Sequence, residues 1–324
     1  MELLEPVQLG PYQLTNRLVM GAYCRMAAAD YCPTAAAADQ YAQCSSAGLL
    51  ITEPTLVDLP VLPLPGCPGL FNRRQVEAWR QVTQAVHARG GKIFVQLWHS
   101  ANLFHLCESE PQAAAMLPQG CPAEGWMTLS RTAVVEQFRK AAQNAIAADF
   151  DGIEIHGAFR ALTERITRGR SLPVDYLRAE GLMYTETALL LEIAENLGII
   201  WDNDRVGLFL SCSFAYGAYG ETQLEEAMYI LVEALSYNRF AYLHLAEATP
   251  KTSFLRSTHA SCLKTFRPIF QGPVIADGQD NLRQSAALVA QRQAALVSFR
   301  RRFAAQPDWI DQMVLNKGVD SQSG

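Results

Sequence analysis

The sequence predicts an α/β protein whose eight parallel strands close into a (β/α)8 barrel, the TIM-barrel architecture. Eight short apolar runs, most of them nearly continuous in Val, Ile and Leu, alternate with longer stretches of helical periodicity. Strand–helix alternation repeated eight times is the pattern of a closed parallel barrel. The runs predicted as strands are Arg17–Tyr23, Gly48–Pro54, Lys92–Trp98, Gly152–Gly157, Val206–Cys212, Phe240–Glu247, Gly272–Gly278 and Ala294–Arg300.

Helical periodicity lies between these runs. Apolar residues three and four positions apart indicate helices with one buried face. The clearest stretches are Arg74–Ala88, Val134–Ala148 and Thr222–Leu235.

Three further segments complete the predicted fold. Val7–Leu14 alternates about Gly10 and Pro11, which predicts a hairpin at the N-terminal end of the barrel. Ser100–Met127, after the third strand, is a long irregular stretch and predicts a loop that covers the barrel mouth. Gly318–Gly324 is polar and predicts a frayed tail. We therefore expect one barrel domain over residues 1–324.

Composition excludes several classes of protein. The chain is 49% hydrophobic and 18% charged with a net charge of −5, so it can bury a large core and lacks the basic surface typical of nucleic-acid binding. Its eight cysteines form no CxxC pair, so neither a zinc site nor a disulfide framework is indicated. With no signal-peptide pattern and no long apolar segment, a cytoplasmic protein that does not contact membranes is expected, as a monomer or homodimer.

Polar and aromatic residues at the strand ends are the candidate site, because a barrel of this type carries its chemistry where the strands end. His156 and His99 are the candidate catalytic residues. A pocket around them is predicted from the following residues: Tyr23, Cys24, Pro54, Gln96, Trp98, Phe159, Ala161 and Phe209. No spacing of His, Cys or carboxylate residues indicates a metal.

The chain resembles the old yellow enzyme family, the FMN-dependent ene-reductases, over roughly residues 4–310. The resemblance is carried by Gly90–His99 and Asp151–Ala158, and by Gln75–Trp79 before them. Residues 303–308 also resemble the family's closing Phe-Ile-Ala-Asn-Pro-Asp. The resemblance implies the barrel fold, a flavin at its mouth and reduction of α,β-unsaturated carbonyl compounds.

The residues with which the family binds and protonates its substrate are largely replaced in this chain. After the fourth strand, the family reads His-Gly-Ala-Asn-Gly-Tyr, in which His and Asn grip a carbonyl oxygen and Tyr donates a proton. This chain keeps the histidine as His156, but the Asn position is Phe159 and the Tyr position is Ala161. The resemblance thus implies half of a carbonyl clamp and no proton donor.

The flavin contacts differ as well. A family arginine at the N1/O2 edge of the ring corresponds to Phe209, and Pro54 has no N–H to offer the ring. The glycines of the phosphate loops become Asp277, before Gly278, and Arg300, before Arg301. We predict that Asp277 and Arg300 form an ion pair in the old phosphate site. If FMN is retained, the surviving contacts are Cys24, Gln96, Gly278 and Arg301.

These replacements favour a barrel of this family that has lost FMN. The predicted function is a redox-neutral isomerisation, cyclisation or cycloaddition on an apolar, carbonyl-bearing intermediate of specialised metabolism, with no cofactor. Two alternatives remain open: an FMN- and NAD(P)H-dependent ene-reductase, and a binding protein without catalysis. His156 and His99 also admit a purely structural role, and Cys24 admits the role of a small buried apolar residue.

Overall fold

All eight predicted barrel strands are present. The computed structural model describes residues 2–60, 64–100, 130–157, 182–211, 221–246, 261–277 and 281–320. The strands are β1 (Val7–Leu9), β2 (Tyr12–Leu14), β3 (Leu18–Met20), β4 (Leu49–Ile51), β5 (Thr55–Leu56), β6 (Ile93–Trp98), β7 (Gly152–His156), β8 (Val206–Ser211), β9 (Tyr242–Ala246), β10 (Val274–Asp277) and β11 (Leu296–Phe299). The eight barrel strands are β3, β4 and β6 to β11, in that order.

Helices follow the barrel strands, as predicted. They are α1 (Ala35–Gln43), α2 (Arg73–His87), α3 (Arg131–Ala147), α4 (Leu182–Trp201), α5 (Glu221–Tyr237), α6 (Cys262–Phe266), α7 (Leu282–Ala290), α8 (Arg301–Ala305) and α9 (Trp309–Asp320). Short 3₁₀ helices span Glu2–Leu4 and Asn203–Arg205. The three helices named from the sequence are confirmed with ends that differ by at most three residues. None of the helices in the described part of the chain is long and apolar enough to span a membrane.

Parallel pairing closes the sheet into a ring. Each barrel strand pairs with the next one along the chain. The last strand, β11, pairs with the first, β3, and Val297 lies opposite Leu18. The short strand β5 adds to β6 beyond the ring. Closure brings the carboxyl ends of all eight strands to one mouth, where His156 and Phe209 lie.

Apolar side chains form one layer outside the barrel and one at its base. The outer layer packs strand residues such as Ile153 and Leu208 against helix residues such as Trp79 and Phe138. The base is filled by a second cluster: Leu9, Leu14, Val19, Leu49, Ile51, Phe94, Ala241, Tyr242, Ile275 and Leu296. Two of these, Leu9 and Leu14, come from the N-terminal hairpin.

The hairpin therefore closes the amino-terminal end of the barrel, as predicted. β1 and β2 pair antiparallel, and Gly10 between them adopts a φ of 51°, in the left-handed region. A Cβ at Gly10 would overlap the backbone carbonyl of Asp204, so the turn requires glycine for two reasons. The Tyr12 hydroxyl donates a hydrogen bond of 2.8 Å to the backbone carbonyl of Asp151 and fixes the hairpin to β7.

Two expectations need correction. Helix α9 continues to Asp320, so residues 318–320 are helical rather than frayed, because each residue added to a helix end gains a backbone hydrogen bond. Cys262 is disulfide-bonded, although the cysteine spacing indicated no disulfide framework. Spacing along the chain does not show which cysteines of distant elements meet. The predicted cover loop, beyond Ser100, lies outside the described residues.

A buried carboxylate organises the base of the barrel. Asp151, just before β7, accepts hydrogen bonds from Lys92 Nζ (2.8 Å) and from the Ile93 backbone N–H (2.9 Å), and lies 2.8 Å from His87 Nε2. Burial raises the pKa of Asp151, but the hydrogen bonds from His87, Lys92 and Ile93 outweigh it and hold that pKa below its usual value. The hydrogen bond to Asp151 raises the pKa of His87.

We expect Asp151→Asn to lower the free energy of unfolding by about 2 kcal/mol near pH 5.5, because it removes charge-assisted hydrogen bonds from a buried site. The loss should be largest between roughly pH 4 and pH 6.5, where Asp151 is charged and His87 is protonated in the folded protein. Stability from Asp151 is lost as the pH falls through its lowered pKa, and stability from His87 is lost as the pH rises through its raised pKa. Urea unfolding across this pH range measures the difference.

Asp149→Asn is the matched control for this substitution. Asp149 is largely exposed, lies 3.5 Å from His87 Nδ1 and has a φ of 63°, which Asn tolerates. This variant should change the free energy of unfolding by less than about 0.5 kcal/mol. Equal losses in the two variants would contradict the assignment of the buried charge as the stabilising group.

Candidate functional site

Phe209 is the centre of the described part of the barrel mouth. It lies on β8 directly beside His156 of β7, and the two rings are 5.2 Å apart between centroids. The imidazole of His244, from β9, packs edge-on against the same phenyl ring, with 5.0 Å between the ring centroids. The guanidinium carbon of Arg300 lies 5.7 Å from the ring centroid. Phe209 and His156 are both buried, so the mouth has an aromatic floor.

Arg300 and Asp277 are brought together as the sequence suggested. Arg300 Nη2 lies 2.8 Å from Asp277 Oδ2, and both side chains are about three-quarters or more buried. The pair connects the ends of β10 and β11, and the same guanidinium reaches Phe209. Three of the positions at which the family's flavin residues are replaced thus contact one another through Arg300.

Below the mouth, four polar side chains cross the barrel interior. Gln96 Nε2 donates to Glu154 Oε1 at 2.6 Å, and His244 Nδ1 lies 2.8 Å from Glu154 Oε2. His244 Nε2 lies 2.8 Å from Ser298 Oγ. None of the four is more than 1% exposed. We call this chain of contacts the interior polar chain.

Alternation along the strands places the interior polar chain next to the mouth. Glu154 and His156 are two residues apart on β7 and therefore share its inward face. Sequence reasoning took Gln96 and His156 as site residues but missed the link through Glu154, His244 and Ser298. The available signal was a charged or polar residue inside an otherwise apolar strand, which needs a partner when it is buried.

Cys24 lies in a sulfur-rich cluster beside the mouth. Its Sγ atom is 3.0 Å from Met26 Sδ, and Cys67 Sγ is 3.6 Å from the same sulfur. Trp98, fully buried, packs in this cluster with Leu56. Among the described residues, no three His, Cys, Asp or Glu side chains are grouped closely enough to hold a metal.

His99 lies in a different environment from His156. Its Nε2 atom is 3.0 Å from Gln137 Oε1 and 3.7 Å from Asp58 Oδ2, and its ring stacks on Phe138 of helix α3. These contacts hold the end of β6 against the helix layer. They agree with the structural role that the sequence left open for this residue.

Pro54 is buried next to a carboxylate with a raised pKa. Burial is the largest influence on Glu53 and raises its pKa to about 7, against the backbone N–H of Arg25, which donates to Glu53 Oε2 at 3.0 Å. The Tyr41 hydroxyl lies 3.0 Å from the Glu53 backbone nitrogen. These bonds tie the end of β4 to the segment after β3, which is a structural role.

Two further site residues, Tyr23 and Arg301, belong to the described part of the chain. Tyr23 is half-buried, and Arg301 is exposed at the first position of α8. Phe159, Ala161 and Gly278 lie outside the described residues.

A site for FMN must accommodate two features of the ligand, a phosphate and a ring that becomes anionic on reduction. A carboxylate, Asp277, stands at the end of β10 and already occupies the guanidinium of Arg300. At the end of β8, the aromatic ring of Phe209 offers no positive charge of its own, and Pro54 lacks an N–H. Only Gln96, whose buried Oε1 has no hydrogen-bond partner among the described residues, suits a ring N–H. Asp277, Phe209 and Pro54 therefore do not fit FMN in the manner of the family.

Known proteins similar to this chain are reductases with the same fold. The chain is 30% identical to 12-oxophytodienoate reductase 7 of Oryza sativa subsp. japonica, over 98% of this chain and 89% of that protein. It is 29% identical to 12-oxophytodienoate reductase 2 of Arabidopsis thaliana, over 94% and 86% of the two chains.

Two solved structures are similar to this chain in fold and in sequence. The old yellow enzyme homologue of Zymomonas mobilis matches with a TM-score of 0.76 and 25% identity, over 98% of this chain and 93% of that one. Morphinone reductase matches with a TM-score of 0.75 and 26% identity, over 97% and 89%. The model of the NADH:flavin oxidoreductase / NADH oxidase family matches residues 2–319. With its closed barrel and its strand-end His156, the chain therefore belongs to this family, which includes the old yellow enzymes.

Proposed function

We propose that this chain is a family member that acts without FMN and catalyses a redox-neutral isomerisation, cyclisation or cycloaddition of an apolar carbonyl compound. The observation that carries the proposal is the contact set of Arg300, which pairs with Asp277 and packs over Phe209. These three side chains stand at positions that the family uses for phosphate and for the flavin ring edge. The contacts among these side chains favour a barrel mouth that binds a ligand other than FMN.

His156 is the group proposed to act on the substrate. Its imidazole packs on Phe209 in a buried site, where an N–H donor to a carbonyl oxygen is worth more than in water. Aromatic walls and one donor suit reactions that depend on folding the substrate and polarising one carbonyl. We propose an apolar intermediate of specialised metabolism as the substrate class.

Family membership supports a second candidate, an FMN- and NAD(P)H-dependent reductase of α,β-unsaturated carbonyl compounds. The relatives named above include 12-oxophytodienoate reductases, and Oε1 of Gln96, which has no partner among the described residues, suits a flavin N–H. Of the contacts that the resemblance implies for this candidate, Arg301 would supply the cation, and it lies at the start of α8. A fold shared with reductases does not by itself fix the reaction.

We expect the purified protein to release no stoichiometric flavin when it is denatured, because the residues that would hold its phosphate and ring edge are replaced. Fluorescence of the supernatant after heat denaturation, calibrated with FMN, measures the content. A preparation reconstituted with excess FMN and then desalted controls for loss during purification. Near-equimolar FMN in either preparation would reject the first candidate and establish the second. A flavin-free protein that binds carbonyl compounds but converts none is the expectation for a binding protein.

We expect His156→Ala to abolish carbonyl polarisation and Cys24→Ala to leave it intact. The probe is 4-(dimethylamino)cinnamaldehyde, whose absorption moves to longer wavelength when a donor binds its carbonyl oxygen. Wild-type protein and Cys24→Ala should both shift the band, since Cys24 contacts Met26 in a neighbouring cluster.

We expect the turnover of the substrate to fall more in His156→Ala than in Cys24→Ala. Loss of one preorganised donor lowers the rate by roughly 10²- to 10³-fold, so the turnover of the His156→Ala variant should fall by that factor. Cys24→Ala removes packing and should cost less than about tenfold. An undiminished band shift in His156→Ala would show that another group polarises the carbonyl.

A further inference from the structure

Gln96 carries a buried acceptor that nothing in the described residues satisfies. The residue is 1% exposed, and its Oε1 atom has no hydrogen-bond partner there. Its two nitrogens are both used as donors: Nε2 donates to Glu154, and the backbone N–H donates to Thr52 Oγ1 at 3.0 Å. A buried amide oxygen left in this state is costly, so a ligand that supplies an N–H or O–H to it gains binding free energy.

The interior polar chain determines which end of the Gln96 amide faces the ligand. A carboxylate only accepts hydrogen bonds, so both Gln96 and His244 must donate to Glu154. Gln96 therefore turns its NH₂ group toward Glu154 and its oxygen away. His244 likewise turns Nδ1–H toward Glu154, and its Nε2 atom meets the Ser298 hydroxyl.

His156 lies on the same inward face of the barrel as this arrangement. It follows Glu154 by two residues on β7, and Gln96 pairs in register with Glu154 on the neighbouring strand. Phe209 contacts both His156 and His244 and so joins the mouth to the interior polar chain. A small ligand at His156 thus has the Gln96 side chain on the adjacent strand.

We propose that Gln96 determines specificity: its Oε1 accepts a hydrogen bond from a hydroxyl or N–H group of the substrate, and Glu154 is the positioning residue that fixes this polarity. The substrate class is then an apolar carbonyl compound that also carries a hydrogen-bond donor, such as a vinylogous amide or a hydroxy ketone. This inference rests on the proposed function, because it takes His156 to hold the carbonyl oxygen.

Two neutral probes of nearly equal shape test the proposal on the full-length protein. One is 3-aminocyclohex-2-en-1-one, which has a carbonyl oxygen and an N–H donor. The other is 3-methylcyclohex-2-en-1-one, in which a methyl group replaces the amino group. Isothermal titration should show that wild-type protein binds the amino probe about fivefold more tightly, the effect of one net hydrogen bond. A ratio near one, as expected if only buried water satisfies Oε1, overturns the proposal.

Three variants locate the origin of that preference. Gln96→Met keeps the side-chain length without the acceptor, so the affinity ratio should fall to about one while binding of the methyl probe is retained. Glu154→Gln replaces the carboxylate by an amide that donates or accepts, so the Gln96 amide is no longer held in one orientation and the ratio should also fall. Gln84→Met, on the exposed face of α2, should keep the wild-type ratio.

Thermal melting of each variant shows whether it is folded, and the wild-type ratio tests the proposal even if a variant is not. An unchanged ratio in folded Gln96→Met overturns the assignment. Flavin content, measured on the same wild-type preparation, separates the two proposals. Equimolar FMN overturns both, whereas flavin-free protein with a ratio of one leaves the proposed function standing and removes only the role of Gln96.

Discussion

Closure of the sheet between β11 and β3 is the constraint on which the rest of the structure depends. These strands are almost 280 residues apart in sequence, yet Val297, Ser298 and Phe299 pair in register with Leu18, Val19 and Met20. Once this pairing forms, the inward side chains of the described strands share one enclosed interior. Glu154 can then reach His244, and His244 can reach Ser298, although each lies on a different strand.

Much of the fold was predictable because its signals are local. A continuous run of Val, Ile and Leu is visible within six residues, and all eight runs became strands. The contact between Asp277 and Arg300 was also predictable, since both were identified from the family resemblance as replacements at neighbouring strand ends. In both cases the information lies in the residue itself or in its known neighbours.

The interior polar chain and the disulfide of Cys262 were not predictable in this way. Glu154 and His244 are 90 residues apart, and their contact depends on two registers, that of β7 with β8 and that of β8 with β9. A one-residue shift in either of those registers would turn one partner toward the helix layer. Similarly, His99 was identified because it ends a strand, but its contact with Gln137 depends on how helix α3 packs and its contact with Asp58 on the segment after β5.

The hairpin at the base has a consequence for how the chain is made. Its residues leave the ribosome first, but their partners come much later: Tyr12 bonds to Asp151, 139 residues on, and the turn at Gly10 lies against Asp204. During synthesis Leu9 and Leu14 have no barrel to close, so they stay exposed until the last strand, which carries their cluster partner Leu296, has been made. The time needed to translate the chain as far as β11 thus sets how long the nascent chain carries an unprotected apolar end, and with it the chance of aggregation.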